Sequence, residues 1–473
     1  MFAGDLLAER ARITPDRVAL ISVETGERLT YAGINDRANG AAATLLDAGL
    51  APGDRAGLFA QNSIDFIAVF FGAIKAGIIV VPLSTRATAH ELSIIAADCG
   101  MKILFHDGSA PDVDGVTLAK IDIVPTTRSF AATRNLESIA CLLYTSGTTG
   151  KPKGVMIPHR QLLWNGYSTV TNWGLREDDI APIFTPLYHA GGVAVFLIPL
   201  FLAGGTIVLH RGFDAAEVWE TIERERCTIV LGVPTIWKIL LDSPQFAPVD
   251  LSHVRWFISG GAPLPAFLIA AYEKRGVTLK QGYGLTEVGV NCFTMTIEDA
   301  RKKPGSIGRP MMFTDVRLVD DAGNDADTGE MWIRGPHVSS GYWNNPSATS
   351  EAYVDGWFHT GDVARRDADG YFFIAGRRKE MFISGGVNVY PAEVEGELLQ
   401  HPQVSDAAVI AIADDMWGEV GIAFVVAPDV DLTAFLSTRL SRYKIPRRFI
   451  FVDALPRTPY GKVLKEELRK QLA

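Results

Sequence analysis

Cysteine is scarce in this sequence and scattered where it occurs. Cys99, Cys141, Cys227 and Cys292 form no CxxC pair, which excludes a zinc ribbon and a disulfide framework and fits a reducing, cytoplasmic setting. An excess of basic charge is missing too. The net charge of -9 argues against a nucleic-acid-coating surface, while leaving room for a local basic patch facing an anionic ligand. No signal peptide is visible at the start. The longest apolar stretch, Ala190 to Leu209, has the length of a membrane span but is broken by Gly191, Gly192, Pro199, Gly204 and Gly205. It reads as a buried helix, a turn and a buried strand, not as a transmembrane segment. There is no Walker A loop: Gly147 and Gly150 are separated by two residues, and Pro152 follows Lys151.

What is present is a chain of 473 residues with 48% hydrophobic and 21% charged content, enough for two or three domains of an ordinary globular enzyme. Strand-like runs such as Ala19–Val23, Gly57–Ala60, Ile78–Val81 and Lys102–Phe105 alternate with helical stretches such as Ile34–Leu46, Asp65–Lys75 and Ala89–Ala97. That alternation predicts parallel sheets covered by helices. The stretch from Asp107 to Glu137 gives little signal and reads as a variable surface passage. From about 305 to 375 the pattern changes to short alternating runs split by turns, which predicts an antiparallel, barrel-like subdomain. Residues beyond it are too few for another sheet-and-helix domain of the first kind and read as a small α+β unit.

The chemistry centres on Thr145-Ser146-Gly147-Thr148-Thr149-Gly150-Lys151-Pro152-Lys153-Gly154, which follows the apolar strand Ile139–Leu143. Glycines let backbone N–H groups approach a polyphosphate, hydroxyls donate to it, and Lys151 and Lys153 neutralise its charge. Further along come Tyr188-His189-Ala190-Gly191-Gly192 and the strand-ending turn Gly260-Gly261-Ala262-Pro263. Then come Gln281-Gly282-Tyr283-Gly284-Leu285-Thr286-Glu287 and Gly356-Trp357-Phe358-His359-Thr360-Gly361-Asp362. The last two are Gly376-Arg377-Arg378-Lys379-Glu380, running on to Ser384-Gly385-Gly386, and the tail Pro459-Tyr460-Gly461-Lys462. Tyr283, between two glycines, offers an aromatic face for a purine. Thr286 and Glu287 place a hydroxyl and a carboxylate side by side, suited to a phosphate and to Mg²⁺, which takes oxygen ligands. Asp362 can accept from both ribose hydroxyls. Taken alone, His189 reads as a packed core histidine and Lys462 as a solvated surface charge, and Asp362 reads equally as a hairpin acid.

Together and in this order, these signatures resemble those of the adenylate-forming superfamily: acyl-CoA synthetases, peptide adenylation domains and beetle luciferases. The resemblance runs over nearly the whole chain and implies its fold. That fold is α/β: a large N-terminal adenylation domain (1–378) of helix-covered parallel sheets with a barrel-like subdomain, and a small mobile α+β domain (379–473) hinged at Lys379. It implies ATP, Mg²⁺ and CoA as ligands. The loop from Thr145 to Lys153 would hold phosphates, with Thr145 and Glu287 at the metal. Gly261, Ala262, Pro263, Gly282, Tyr283, Gly284, Asp362 and Arg377 would hold the nucleotide. Lys462 would act in adenylation with Thr286, Glu287 and His189, and Gly385 and Gly386 would pass the pantetheine arm after rotation of the small domain.

The implied reaction is two-step: a carboxylic acid becomes an acyl-AMP with loss of pyrophosphate, and the acyl group then moves to a thiol. Tyr188, His189, Trp237, Gly260, Gly284 and Val288, with Asn291, are expected to line the acid pocket. Those side chains are mostly uncharged, which suits an aromatic or short-to-medium aliphatic acid. The segment beginning at Tyr188 lacks the acid with which peptide adenylation domains grip an amino group, which favours an acid–CoA ligase. The alternatives are an enzyme loading a carrier protein and a catalytically silent nucleotide-binding relative.

Overall fold

The computed structural model describes residues 2–3, 5–130, 134–145, 152–458 and 461–472. Three mainly parallel sheets form the bulk of the molecule. The first has six strands in the order Lys153–Pro158, Ile139–Thr145, Ile79–Pro82, Arg55–Phe59, Ile103–His106 and Thr117–Lys120. Only Lys153–Pro158 runs antiparallel to its neighbour, because it is the return arm of a hairpin with Ile139–Thr145. The second sheet orders Ile180–Ile183, Thr206–Leu209, Val18–Ser22 and Arg28–Thr30. The third is the parallel triplet Ile229–Gly232, Trp256–Ser259 and Leu279–Gln281.

The helices between strands have the caps their sequences supply. Helix Ile64–Ala76 starts at Ser63, whose hydroxyl accepts from Phe66 N, and stops at Gly77 in the left-handed region at φ 74°. It is apolar on all sides because it lies between layers: Phe66, Ile67, Phe70 and Ala73 have essentially no exposed surface. Helix Tyr31–Asp47 packs beside it, so closely that a Cβ on Gly72 would stand 2.8 Å from Ala38 O. The segment Ala190–Ala203 is helical with one wide π turn at Val193–Leu197, followed by strand Thr206–Leu209, as expected from its glycines. Among the described residues no helix is long and apolar enough to cross a membrane.

The passage from 107 to 137 holds more structure than its sequence suggested. Thr117–Lys120 is a parallel edge strand on Ile103–His106. Its ends are exposed and its middle half-buried, so it lacks the alternation by which a covered strand is recognised.

Asp315–Val319, Thr328–Arg334, Trp357–Arg366, Tyr353–Val354 and Phe372–Arg377 form an antiparallel sheet. The last sheet is built from Phe382–Ser384, Val387–Val389, Asp406–Asp414, Gly418–Val426 and Arg448–Phe451. It carries its own core around Phe382, Val394, Leu398, Val409 and Val425.

Candidate active site

The signatures converge at the C-terminal ends of the parallel strands, where open α/β sheets present their ligands. Strand Ile139–Thr145 delivers Thr145 to this edge, and Lys153 opens the return strand. Ser146, Gly147, Thr148, Thr149, Gly150 and Lys151 lie outside the described residues. Lys153 Nζ stands 5.0 Å from the Tyr342 ring centre. The Tyr342 hydroxyl donates to Glu287 Oε1 at 3.0 Å. Glu287 sits in the tight turn Thr286–Val288, and its backbone carbonyl accepts from Ser339 N at 2.7 Å. Burial pushes its carboxyl above the usual range, opposed by Tyr342 and by the positive charges of Arg377 and Lys153.

The corner around Asp362 is assembled from two strands and a loop. Asp362 and Arg377 are paired residues on adjacent antiparallel strands, with Arg377 Nε 2.6 Å from Asp362 Oδ1. The Tyr283 hydroxyl donates to Asp362 Oδ2 at 2.6 Å, and its ring packs edge-on against Phe293 at 5.6 Å. Asp362 is 4% exposed. Burial raises its pKa, and the Arg377 guanidinium and the Tyr283 hydroxyl hold it back down. Gly284 is a glycine because the loop doubles back on it: a Cβ there would stand 2.4 Å from the backbone of Val290.

The turn Gly260-Gly261-Ala262-Pro263 is held by Gln281, whose Oε1 accepts from Leu264 N at 2.7 Å and whose Nε2 reaches Ala262 O at 3.3 Å and Gly282 O at 2.8 Å. His189 precedes the helical start Ala190–Gly192, 4.7 Å from the Tyr188 ring. Burial pushes its imidazole pKa down to about 4, so it is neutral near pH 7.

Lys462 reaches this corner from the far end of the chain. Its turn is tied by Thr458 N to Lys462 O at 2.7 Å and by Lys462 N to Thr458 Oγ1 at 3.1 Å. Arg457 braces it, donating to Gly461 O and pairing with Asp406 at 2.6 Å. Gly461 lies against Thr235 on the opposite wall: a Cβ would stand 3.0 Å from that hydroxyl. Desolvation in the cleft, then the like charge of Arg377, hold the Lys462 ammonium below the ordinary lysine pKa, while Glu380 and Asp362 pull it back up.

Two expectations need correction. Trp237 has no exposed surface. Its ring stacks on Phe257 at 5.0 Å and meets Tyr272 edge-on, so it belongs to the core behind the third sheet and not to a pocket wall. Val288 is likewise fully buried, among Cys292, Phe293 and Met331. A large apolar residue beside a site motif reads the same in sequence whether it faces a ligand or the core. Gly385 and Gly386 form the exposed tip of the hairpin from Phe382 to Val389, against Trp417, and are not gathered with Lys462 and Asp362. Lys379 lies exposed in the turn just before this hairpin.

The family described as AMP-binding enzyme matches residues 7–343, and AMP-binding enzyme C-terminal domain matches residues 393–462. The chain belongs to the AMP-binding enzyme family. Its named relatives lie in the acyl-CoA ligase branch. A feruloyl-CoA synthase from Amycolatopsis sp is 40% identical over 99% of this chain and 98% of its own. A long-chain-fatty-acid–CoA ligase from Mycobacterium tuberculosis is 37% identical over 99% and 98%. The o-succinylbenzoate coenzyme A synthetase of Bacillus subtilis, solved with ATP and a magnesium ion, superposes with a TM-score of 0.91 at 31% identity, covering 99% of this chain and 100% of that one.

The motifs did not disclose how they are held: by Gln281 under the glycine turn, Tyr342 on Glu287, Arg457 behind Lys462, and the buried stripe Gln161, Asn165, Thr169 and Trp173 on helix His159–Trp173. Gln281 stands within its own motif, and the stripe leaves a trace in its four-residue spacing.

Proposed function

We propose that this chain is an AMP-forming acid–CoA ligase acting on an aromatic or short-to-medium aliphatic acid. The observation that carries this reading is the meeting of Lys462, from the tail, with Asp362 and Arg377, from the antiparallel sheet. A carboxylate resists attack by a thiol because its charge is delocalised and oxide cannot leave. Attack of the carboxylate on the α-phosphorus of ATP, with pyrophosphate departing, creates an acyl-AMP whose leaving group is AMP. Such a step needs positioning and charge neutralisation more than covalent help.

Each described group has one of these tasks. Tyr283, Asp362 and Arg377 hold the nucleoside, with Gly282 and Gly284 clearing space beside it. Thr286 faces the α-phosphate. Thr145 and Lys153 flank the phosphate loop. Lys462 bridges the acid and nucleotide oxygens as a point charge with three donors. Tyr188 and His189 bound the acid, and the neutral imidazole lays no charge against it.

Glu287 fits Mg²⁺ that arrives with ATP. Among the described residues no group of three or more His, Cys, Asp or Glu could hold a metal alone, and Mg²⁺ commonly uses one or two carboxylates plus substrate phosphates and water. When bound, the ion neutralises charge on the phosphate oxygens.

For the second step, residues 379–473 rotate about Lys379, which withdraws Lys462 and brings the Gly385–Gly386 tip towards the acyl carbon. CoA is the acceptor and the cytoplasm the compartment, consistent with four buried, unpaired cysteines. The test is pyrophosphate release with ATP and Mg²⁺ over aryl, fatty and amino acids, with and without CoA, and thioester detection by mass. Sustained release only with CoA supports the reading. A single turnover indifferent to CoA favours a carrier-protein acceptor, and no release from any acid rejects the ligase.

A further inference from the structure

Residues 336–343 leave the antiparallel sheet after Thr328–Arg334 and run as irregular backbone to helix Pro346–Ala352. His337, Ser339 and Tyr342 in this segment are all buried. Each is bound to the turn that carries Glu287. The Tyr342 hydroxyl donates to Glu287 Oε1 at 3.0 Å, and Ser339 N donates to Glu287 O at 2.7 Å. His337 Nδ1 donates to Val288 O. A carbonyl only accepts, so Nδ1 carries the proton, and Nε2 is left to accept from the Thr314 hydroxyl at 2.8 Å. The Ser339 hydroxyl is itself hydrogen-bonded to that of Tyr353.

The same segment is laced to the return strand of the phosphate-loop hairpin. Trp343 N donates to Gly154 O at 2.8 Å, Met156 N donates to Gly341 O at 2.9 Å, and Ser340 N donates to Met156 O at 3.0 Å. Tyr342 is bridged to Val155, and its ring stands 5.0 Å from Lys153 Nζ. Arg160, at the start of the next helix, grips the near end by donating to the carbonyls of Pro336 and Val338. One short segment therefore ties both the backbone and the carboxylate of Glu287 to the strand that begins at Lys153. Irregular backbone held from two sides in this way acts as a splint.

We propose that residues 336–343 are a splint between the Glu287 turn and the phosphate-loop hairpin, in which Tyr342 and His337 are positioning residues that hold the Glu287 carboxylate in place for the Mg²⁺ of MgATP. The inference rests on the acid–CoA ligase reading and on its placing of Mg²⁺ at Glu287. Magnesium accepts little departure from octahedral geometry and short oxygen distances, so a carboxylate that wanders serves it poorly. Tyr342 fixes one oxygen of that carboxylate directly. His337 acts one step further back, by fixing the turn from which the side chain springs.

The test is calorimetric titration of the full-length protein with ATP plus Mg²⁺, ATP in EDTA, and AMP. Wild type should bind ATP more tightly with Mg²⁺ than in EDTA. Tyr342→Phe keeps the ring beside Lys153 and loses only the hydroxyl. It should weaken MgATP binding about tenfold and change ATP in EDTA and AMP by less than about twofold. His337→Ala should do the same to a smaller extent, about fivefold. His337→Asn keeps an N–H at the position of Nδ1 and should stay within about twofold of wild type. Tyr342→Phe alone decides the matter if His337→Ala does not fold. Wild-type MgATP affinity in Tyr342→Phe would overturn the proposal. So would equal weakening of MgATP and AMP, which marks a loss of folding and not of metal positioning. A His337→Asn variant as impaired as His337→Ala would overturn the part given to His337. Absence of ATP binding by wild type would remove the ligase reading itself, whereas ATP binding with an unchanged Mg²⁺ gain in every variant would remove only the splint.

Discussion

Asp362 and Lys462 meet at one corner of the cleft, but they are held there very differently. Asp362 is nearly fully buried on a strand, locked by Arg377 at 2.6 Å and by the Tyr283 hydroxyl at 2.6 Å. Lys462 is exposed on a turn, braced within its own small unit by Arg457 and Asp406, and touches the corner through charge. The first arrangement is preorganised: its hydrogen bonds are already made and aimed before a nucleotide enters. The second is deliverable. A lysine whose supports lie outside the large unit can leave without breaking the Asp362, Arg377 and Tyr283 cluster. The contrast explains how one cleft could host two reactions in sequence.

Replacing the deliverable group should have the largest and most selective effect. Lys462→Ala is expected to slow adenylation by about a hundredfold or more, measured as single-turnover pyrophosphate release. A tenfold loss or less would mean that the corner works without it. Replacing the preorganised group should instead weaken nucleotide binding. Asp362→Ala strands the Tyr283 hydroxyl and Arg377, and should cost about 2 kcal/mol of ATP affinity by calorimetry. Unaltered affinity would show that Asp362 serves only the sheet.

Arg457→Ala sharpens the comparison by loosening the brace without touching the lysine. Adenylation should fall by about tenfold while ATP affinity stays constant. Equal loss of both would place Arg457 in general folding. The smallest effect concerns pH. In the proposed role Lys462 must be protonated to bridge two anions, and its pKa already lies below that of a free lysine. Glu380 is one of the two carboxylates that raise it. Glu380→Gln should therefore move the alkaline limb of adenylation to lower pH. An unmoved or alkaline-shifted limb would remove Lys462 as its origin.

The glycines and charged motif residues were legible because their chemistry is local. Gly284 needs the absence of a side chain, and Thr286-Glu287 states its chemistry in two letters. The Asp362–Arg377 register depends on two successive strands, Trp357–Arg366 and Phe372–Arg377, folding back on one another, so the motifs named both residues but not their bond. That Trp237 and Val288 lie in the core was not legible, because an apolar side chain carries no mark of which side of a helix or turn it will occupy. Gln161, Asn165 and Thr169 show a helical spacing, yet their partners at Thr286, Ala194 and Asn291 are set only by packing. The hairpin tip at Gly385 was assigned to a conformation other than the one seen, in which Lys462 holds the cleft.

The most direct test of the two-scaffold account is a crossed half-reaction experiment. Lys462→Ala and Lys379→Pro are each assayed for acyl-AMP formation from acid and ATP, and for thioester formation from supplied acyl-AMP and CoA. The account predicts opposite patterns: Lys462→Ala loses the first reaction and keeps the second, while Lys379→Pro keeps the first and loses the second. If both variants lose both reactions in equal proportion, Lys462 is not delivered and withdrawn by a moving unit, and the account is wrong.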